Sequence, residues 1–544
     1  MNLSRMNLGL RFRVHSATVL FIAMFFVAAT ESCWAGNPQT VRQPGVAGSF
    51  YPADPKALTT MIDDMLAKAS SSQPPISDPI LAVVAPHAGY EFSGPVAAYT
   101  YAALKGRKFS RVVVIAPSHH EYFDFTSVYD GDAYATPLGT VRVDKAFATQ
   151  LVKMSPTIQF SSHGHTPTKE GAEHALEVQL PWLQRVLGDF VLVPIVMGDQ
   201  SYENSRALGV ALAKLIHGQD TLIVASSDLS HYHPYDDAVK IDHKTLNALQ
   251  EWDYFSMSRN FEARVWEACG GAPIVAAMIA AERMGANEAR VLKYANTGDV
   301  TGDRSRVVGY SADVFLKTQG GKSVNPPFLL NAHEKSELLA LARKSVEYAV
   351  REGKLYDADA SSSEMLKNEL LNQERGAFVT LKKSGELRGC IGYTSSLKPL
   401  YLTVRDTAAF AALRDTRFPP VSVSELPQLE YEISVLSPLR RVLDVRQIKV
   451  GQHGLLMKND THEGLLLPQV PVEQKWDRQE FLDETCAKAG MRADCWKDEN
   501  TDIFEFTAVV FGDTQPQVLT PDTSLSPMMP PARPGAQAPG SPPH

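Results

Sequence analysis

The sequence predicts an α/β domain followed by a smaller α+β domain. Three observations carry that reading. Four apolar runs, at 80–85, 111–116, 190–196 and 221–225, lack polar alternation, as expected of central strands covered on both faces. Helical stretches separate them; in 173–187, Leu176, Leu180, Leu183 and Leu187 share one helical face. A Gly, Ser and Pro-rich break at 320–327 then precedes a block with a different order, a helix followed by mostly strand-like segments.

The chain begins with Arg5, Arg11 and Arg13, an apolar run at 17–30 and Ser32-Cys33-Trp34-Ala35. Residues 1–35 therefore read as an export signal, too short in its apolar part for a full membrane span. Periplasmic or extracellular placement follows, with an uncleaved N-terminal anchor as the alternative; no stable membrane span is expected after cleavage. The first block covers 40–318 and the linker 319–330. In the second block, at 331–518, a helix at 332–351 leads to strands at 376–382 and 386–393 around the turn Lys383-Ser384-Gly385. A helix at 397–414 and strands at 429–436 and 503–511 complete it, which suggests an antiparallel sheet. The tail, 519–544, is Pro-rich and reads as disordered.

Length alone allows about three domains in 544 residues. With 44% hydrophobic and 21% charged residues, the composition excludes a disordered, collagen-like or polytopic membrane chain. The net charge of −8, with no long Lys/Arg block, argues against a nucleic-acid partner. Without Cys33, four cysteines remain, Cys269, Cys390, Cys486 and Cys495, too few for a disulfide scaffold. Cys486 and Cys495 are close enough in sequence to pair in an oxidising compartment, which the sequence leaves open.

Polar residues gather where the first block's strands end, the edge at which open α/β sheets bind ligands. The first strand runs into Pro86-His87-Ala88-Gly89-Tyr90, the second into Pro117-Ser118-His119-His120-Glu121, and the fourth into Ser226-Ser227-Asp228-Leu229-Ser230-His231. Glu173-His174 and Cys269-Gly270-Gly271 lie further along. Imidazole, thiolate and carboxylate together form the ligand set of a transition-metal site. Asp228 and His231 are candidate acid/base or ligand-orienting groups. A solvated loop edge that happens to hold several His is the plainer alternative.

These motifs, with Ala47-Gly48-Ser49-Phe50-Tyr51 and Tyr294-Ala295-Asn296-Thr297-Gly298-Asp299, resemble the Memo family over about 41–316. The resemblance implies a fold similar to class III extradiol dioxygenases. It also implies a pocket in which His87, His119 and Cys269 hold one redox metal per chain, iron or copper, beside Asp228 and His231. His120, Glu173 and His174 are further site candidates. Ring cleavage does not follow, because a Cys stands where a two-His-one-carboxylate iron site needs a carboxylate.

In the second block, Leu387-Arg388-Gly389-Cys390-Ile391-Gly392, Asp415-Thr416-Arg417-Phe418-Pro419-Pro420 and His462-Glu463-Gly464 look like the AMMECR family over about 331–515. The two families are partners in the AmmeMemoRadiSam system, as its proteins B and A, and this chain resembles their fusion. That implies a separate radical S-adenosylmethionine protein as partner, since its CxxxCxxC motif is absent here. The expected function is a metal-binding, redox-active domain coupled to one that binds a substrate or partner, an unknown small molecule or peptide. A non-catalytic metal-binding scaffold and a Cys390-dependent transferase or hydrolase are the alternatives. In a regular strand Arg388 would share the face of Cys390 and lower its thiol pKa. His462 and Glu463 would serve as base and orienter if the fold brought them near. A buried, structural Cys390 is the plainer reading.

Overall fold

The computed structural model describes residues 40–218, 220–319, 328–358, 367–459 and 461–513. The expected export signal, residues 320–327 of the linker and the Pro-rich tail lie outside the described residues. No helix among the described residues is long and apolar enough to cross a membrane.

A nine-stranded sheet organises the first block. Its centre is four parallel strands in the spatial order Ile80–Ala85, Thr221–Ser226, Arg111–Pro117, Val191–Met197. These are the four predicted runs to within a residue at each end, and all their residues except Arg111 and Val191 are buried. Alternate side chains serve two cores. Val113 and Ile115 pack with the helices Tyr202–Leu215 and Gly271–Arg283. Val112, Val114 and Ala116 pack with the helices Pro55–Ser72 and Tyr90–Leu104 on the other face. Antiparallel strands extend both sides: Val307–Leu316 joins Ile80–Ala85, and Thr126–Val128 joins Val191–Met197.

The helix expected over 173–187 is shorter. One 3-10 turn, Glu177–Gln179, leads into the helix Leu180–Leu187, with Pro181 in its first turn. The preceding segment stays open because the Glu173 carboxylate accepts the backbone N–H groups of His119, His174 and Ala175 at 2.6, 2.9 and 2.9 Å. Those bonds compete with helical ones.

The second block opens with the helix Ala332–Glu352, started by an Asn331/Glu334 capping box and stopped at Gly353 with φ +68°. Two four-stranded antiparallel sheets follow. In the first, Glu386–Tyr393, Ala377–Lys383, Leu429–Leu436 and Ala508–Gly512 lie side by side. The hairpin turn puts Ser384 at φ +56° and Gly385 at φ +80°, the conformation that two-residue hairpins favour. The single strand expected at 503–511 is two. Asp502–Phe506 belongs to the second sheet and Ala508–Gly512 to the first; between them Thr507 exchanges backbone and side-chain bonds with Ser437. The second sheet also contains the hairpin Gly454–Lys458/Glu463–Leu466, which the sequence reading did not resolve as strands. Cys486 and Cys495 are joined in a disulfide.

The two blocks share one apolar core. Leu436, Leu439, Leu456, Phe504 and Phe506 of the second pack with Tyr254 and Phe255 of the first. Inside this junction Asp502, its side chain 3% exposed, receives Arg206 and Arg283 from the first block and Arg441 from the second.

Candidate metal centre

The parallel strands end at one edge, and the loops there converge. His87 follows Ile80–Ala85, His119 follows Arg111–Pro117 and Asp228 follows Thr221–Ser226. Cys269 stands just before the helix Gly271–Arg283. Its loop approaches closely because residue 270 is glycine; a Cβ there would lie 2.1 Å from the Ser226 carbonyl oxygen. One ligand atom each from His87, His119 and Cys269 falls within 4.8 Å of the others. His119, Glu173 and His174 form a second, overlapping group of the same kind.

Hydrogen bonds fix which ring nitrogens face the site. The single Ser226 hydroxyl proton goes to the Ala175 carbonyl at 2.6 Å. At 2.9 Å from His87 Nδ1, Ser226 Oγ is therefore the acceptor, so Nδ1 carries the proton and Nε2 keeps its lone pair. That Nε2 lies 3.0 Å from Cys269 Sγ. The Gln179 amide also donates to Ser226 Oγ, at 2.7 Å, and its oxygen accepts from Tyr101 Oη at 2.5 Å. His119 Nδ1 is 3.0 Å from Glu173 Oε1, which likewise leaves Nε2 free to face inward. Ligating histidines are oriented by partners of this kind.

The electrostatics divide the donors: burial would lower His119, but its hydrogen bond to Glu173 and the Glu173 charge outweigh burial and raise it. Burial, reinforced by His119, holds His87 well below its ordinary value; burial and the His87 charge bring His174 down to about 3. Burial would raise Glu173, but the His119 hydrogen bond and the His119 and His174 charges outweigh it and hold the carboxylate ionised. Burial, then Asp228, pushes the Cys269 thiol well up. The S–H proton is directed at His87 Nε2, and Cys269 would give up that proton to hold a metal ion together with His87 and His119. Two imidazole nitrogens and one sulfur fit iron, copper or zinc and disfavour magnesium or calcium.

The other candidates divide. Asp228 Oδ1 accepts the His87 N–H at 2.7 Å, and burial raises its pKa. The Asp228 N–H in turn points at Cys269 Sγ, 3.3 Å away, so this residue braces two ligands. His231 sits at the rim, its ring 5.6 Å from that of Tyr232. Tyr232 has φ +63°, unusual for a tyrosine, and lies under the Arg306 guanidinium. His174 stacks on His119 at 4.8 Å and meets the Phe50 ring at a tilt of 40°, 4.5 Å away. His120 belongs to neither ligand group; its ring is 6.4 Å from His174. Glu177 is an anchor: its carboxylate holds Arg42, the Gly45 and Val46 N–H groups and Tyr51 Oη, fixing the segment that carries Phe50. Ser226 and Gln179 were not assigned roles from sequence; the available signal was an uncharged polar residue inside an apolar stretch. Asp242 was missed too. It accepts the Ser230 N–H at 2.9 Å, steadying the loop that carries Asp228 and His231.

The expected pairing of Arg388 with Cys390 is corrected. A bulge at Arg388 interrupts the strand: Leu381 pairs with Gly389, but Lys382 pairs with Leu387. The Arg388 guanidinium instead holds Glu425, at 3.0 and 3.1 Å. The Cys390 thiol meets Thr380 Oγ1 at 3.3 Å, and burial raises its pKa rather than lowering it. His462 and Glu463 belong to the other sheet's hairpin, where Glu463 pairs with Lys458 and His462 bonds to Thr461.

The Memo-like protein family model matches residues 42–314, and the AMMECR1 model matches residues 339–511. The chain belongs to the Memo family. Its Memo-like domain, which carries the candidate metal centre, is followed by an AMMECR1 domain. A MEMO1 family protein of Methanopyrus kandleri is 39% identical over 285 residues, covering 51% of this chain and 99% of that protein. One from Sulfolobus acidocaldarius is 36% identical over 283 residues, covering 50% of this chain and 97% of its own. An uncharacterized protein of Pyrococcus horikoshii with a solved structure is 40% identical, covering 32% of this chain and 89% of that one, with a TM-score of 0.31.

Proposed function

We propose that the Memo-like domain binds one redox metal, iron or copper, through His87, His119 and Cys269, and that the AMMECR1 domain binds the substrate or partner on which the metal domain acts. The observation that supports this reading is the convergence of two oriented imidazoles and one thiol within 4.8 Å. Asp228, beside both His87 and Cys269, holds and orients protons there, with His231 at the entrance. The metal would supply electron transfer or Lewis acidity. The fold is taken to be similar to that of class III extradiol dioxygenases, with sulfur replacing the carboxylate ligand. The chain acts in an AmmeMemoRadiSam system, and a radical S-adenosylmethionine protein is its proposed partner. Export accounts for the N-terminal segment, and the Cys486–Cys495 disulfide is at home in an oxidising compartment. An exported fusion acts without the cytosolic radical enzyme, and the partnership holds only where the N-terminal segment is an anchor of different topology; mapping the mature N-terminus to the neighbourhood of Gly36 would support export, and an intact Met1 on a cytosolic chain would refute it.

Metal analysis of anaerobically purified protein tests the centre. About one iron or copper per chain is expected, with most of it lost in His87→Ala and His119→Ala. Unchanged metal content in both variants refutes the assignment. A protein that holds the metal but is never reduced or oxidised by small-molecule reagents would be a sequestering scaffold instead.

A further inference from the structure

A cavity of about 650 Å³ lies between the Memo-like and AMMECR1 domains. It is separate from the metal centre. Asp242, on the helix Tyr235–Gln250, holds the metal-centre loop, whereas Asn247 and Gln250, near that helix's other end, line the cavity. Five to eight residues of helix are roughly 8–12 Å along the axis. The cavity is not a crack between mobile bodies, because the shared apolar core and the Asp502 ion cluster fix its walls. Its size suits a small ligand.

The lining has two charged poles with apolar surface between them. At one pole, Arg375 lies over the Phe328 ring, 5.0 Å from its centroid, and 3.6 Å from Glu251. At the other, Glu505 is 2.8 Å from His453 Nδ1 and faces Arg440 across the strand pair. Leu329, Pro438 and Phe506 supply apolar wall, and the amides of Asn247, Gln250 and Gln373 supply neutral donors and acceptors. Arg375 and Arg440 are matched in number by Glu251 and Glu505, so the lining as a whole carries no excess positive charge for a polyphosphate. Side-chain amides match the N–H and C=O groups of a peptide backbone.

We propose that this cavity is a second binding site, for a short zwitterionic peptide. Its terminal carboxylate sits at Arg375, its ammonium at Glu505, and its apolar side chains lie on Phe328 and Phe506. The site requires both domains, which gives the fusion a physical purpose independent of the metal.

The test is calorimetric titration of the full chain with Gly-Leu-Phe, with its N-acetyl form and with its C-terminal amide. Saturable binding of the free peptide is expected, weakened about tenfold or more by either cap and by Arg375→Met or Glu505→Gln, the loss typical of one charge-assisted hydrogen bond. Asn247→Trp, at an exposed helix position, fills the cavity without touching the core and should abolish binding at an unchanged melting temperature. His87→Ala should bind the peptide as the parent does. The proposal is overturned if the free peptide does not bind saturably, if a capped peptide binds equally well, or if Asn247→Trp leaves binding intact.

Discussion

Replacing Asp502 by Asn would test whether the two domains form one cooperative body. The carboxylate is 3% exposed and receives Arg206 Nε at 2.5 Å, Arg441 Nε at 3.1 Å, and Arg283. The arginine side chains are themselves 12–16% exposed, so solvent screens these pairs little. Burial would raise Asp502, but Arg283 and Arg206 outweigh it and hold the carboxyl low. Its stabilising share is therefore complete above the unfolded value of about 4 and is lost as the pH falls through the lower folded value. Asn keeps the shape and removes the charge, leaving three guanidinium groups facing one another. Breaking a buried ion pair in this way costs about 3–5 kcal/mol. For domains of this size that is a fall of roughly 6–20 °C in melting temperature. Urea denaturation at pH 7, followed by calorimetry, gives the magnitude; adding Arg283→Met, from the first block, to both backgrounds gives the coupling across the junction. A loss below about 0.5 kcal/mol, the scale of an exposed ion pair, would refute the reasoning.

Glu282, beside the same cluster, carries a carboxyl that burial pushes up to about 7. It binds its proton more tightly folded than unfolded, so stability should decline between about pH 4.5 and 7, by an upper bound of about 3 kcal/mol. Glu282→Gln should flatten that decline and be the more stable protein at pH 8; parallel curves for the two would exclude the assignment. Gly309→Ala places a Cβ 2.0 Å from Asp242 Oδ2 and should cost about 1–3 kcal/mol, much of it recovered when Asp242 is also replaced by Ala. The Cys390 thiol should alkylate more slowly than an unfolded-peptide thiol at pH 8, with a rate unchanged in Arg388→Met; a marked slowing in that variant would restore the arginine to the thiol's environment.

The central strands and the candidate ligands His87 and His119 were legible because each rests on a local signal: an unbroken apolar run, then a histidine where the run ends; Cys269, before a helix, entered through the family resemblance. What the sequence concealed were decisions made by distant partners. The apolar stretch at 503–511 carries no mark at Thr507; it is the Ser437 side that divides it between two sheets. Leu180 and Leu183 have helical spacing, yet the helix cannot extend back to Glu173, whose carboxylate already binds three backbone N–H groups. Arg388 would share the face of Cys390 in a regular strand, and one extra residue turns it to Glu425. Phe504 and Phe506 alternate as core residues should, but nothing local says that the core they enter belongs partly to the other domain.

One element ties the two chemical regions together. The helix Gly271–Arg283 begins beside the candidate ligand Cys269 and ends with Glu282 and Arg283 at the Asp502 cluster, about 20 Å away. Every residue from Gly271 to Glu282 is buried. A signal passing between metal centre and junction needs an element with two accessible arrangements. This helix is instead packed on all sides, capped at one end by a close-fitting glycine and at the other by a buried ion cluster, features that resist a second packing. The fusion is therefore suited to holding the candidate metal centre and the inter-domain cavity at a fixed separation, rather than to switching one site through the other.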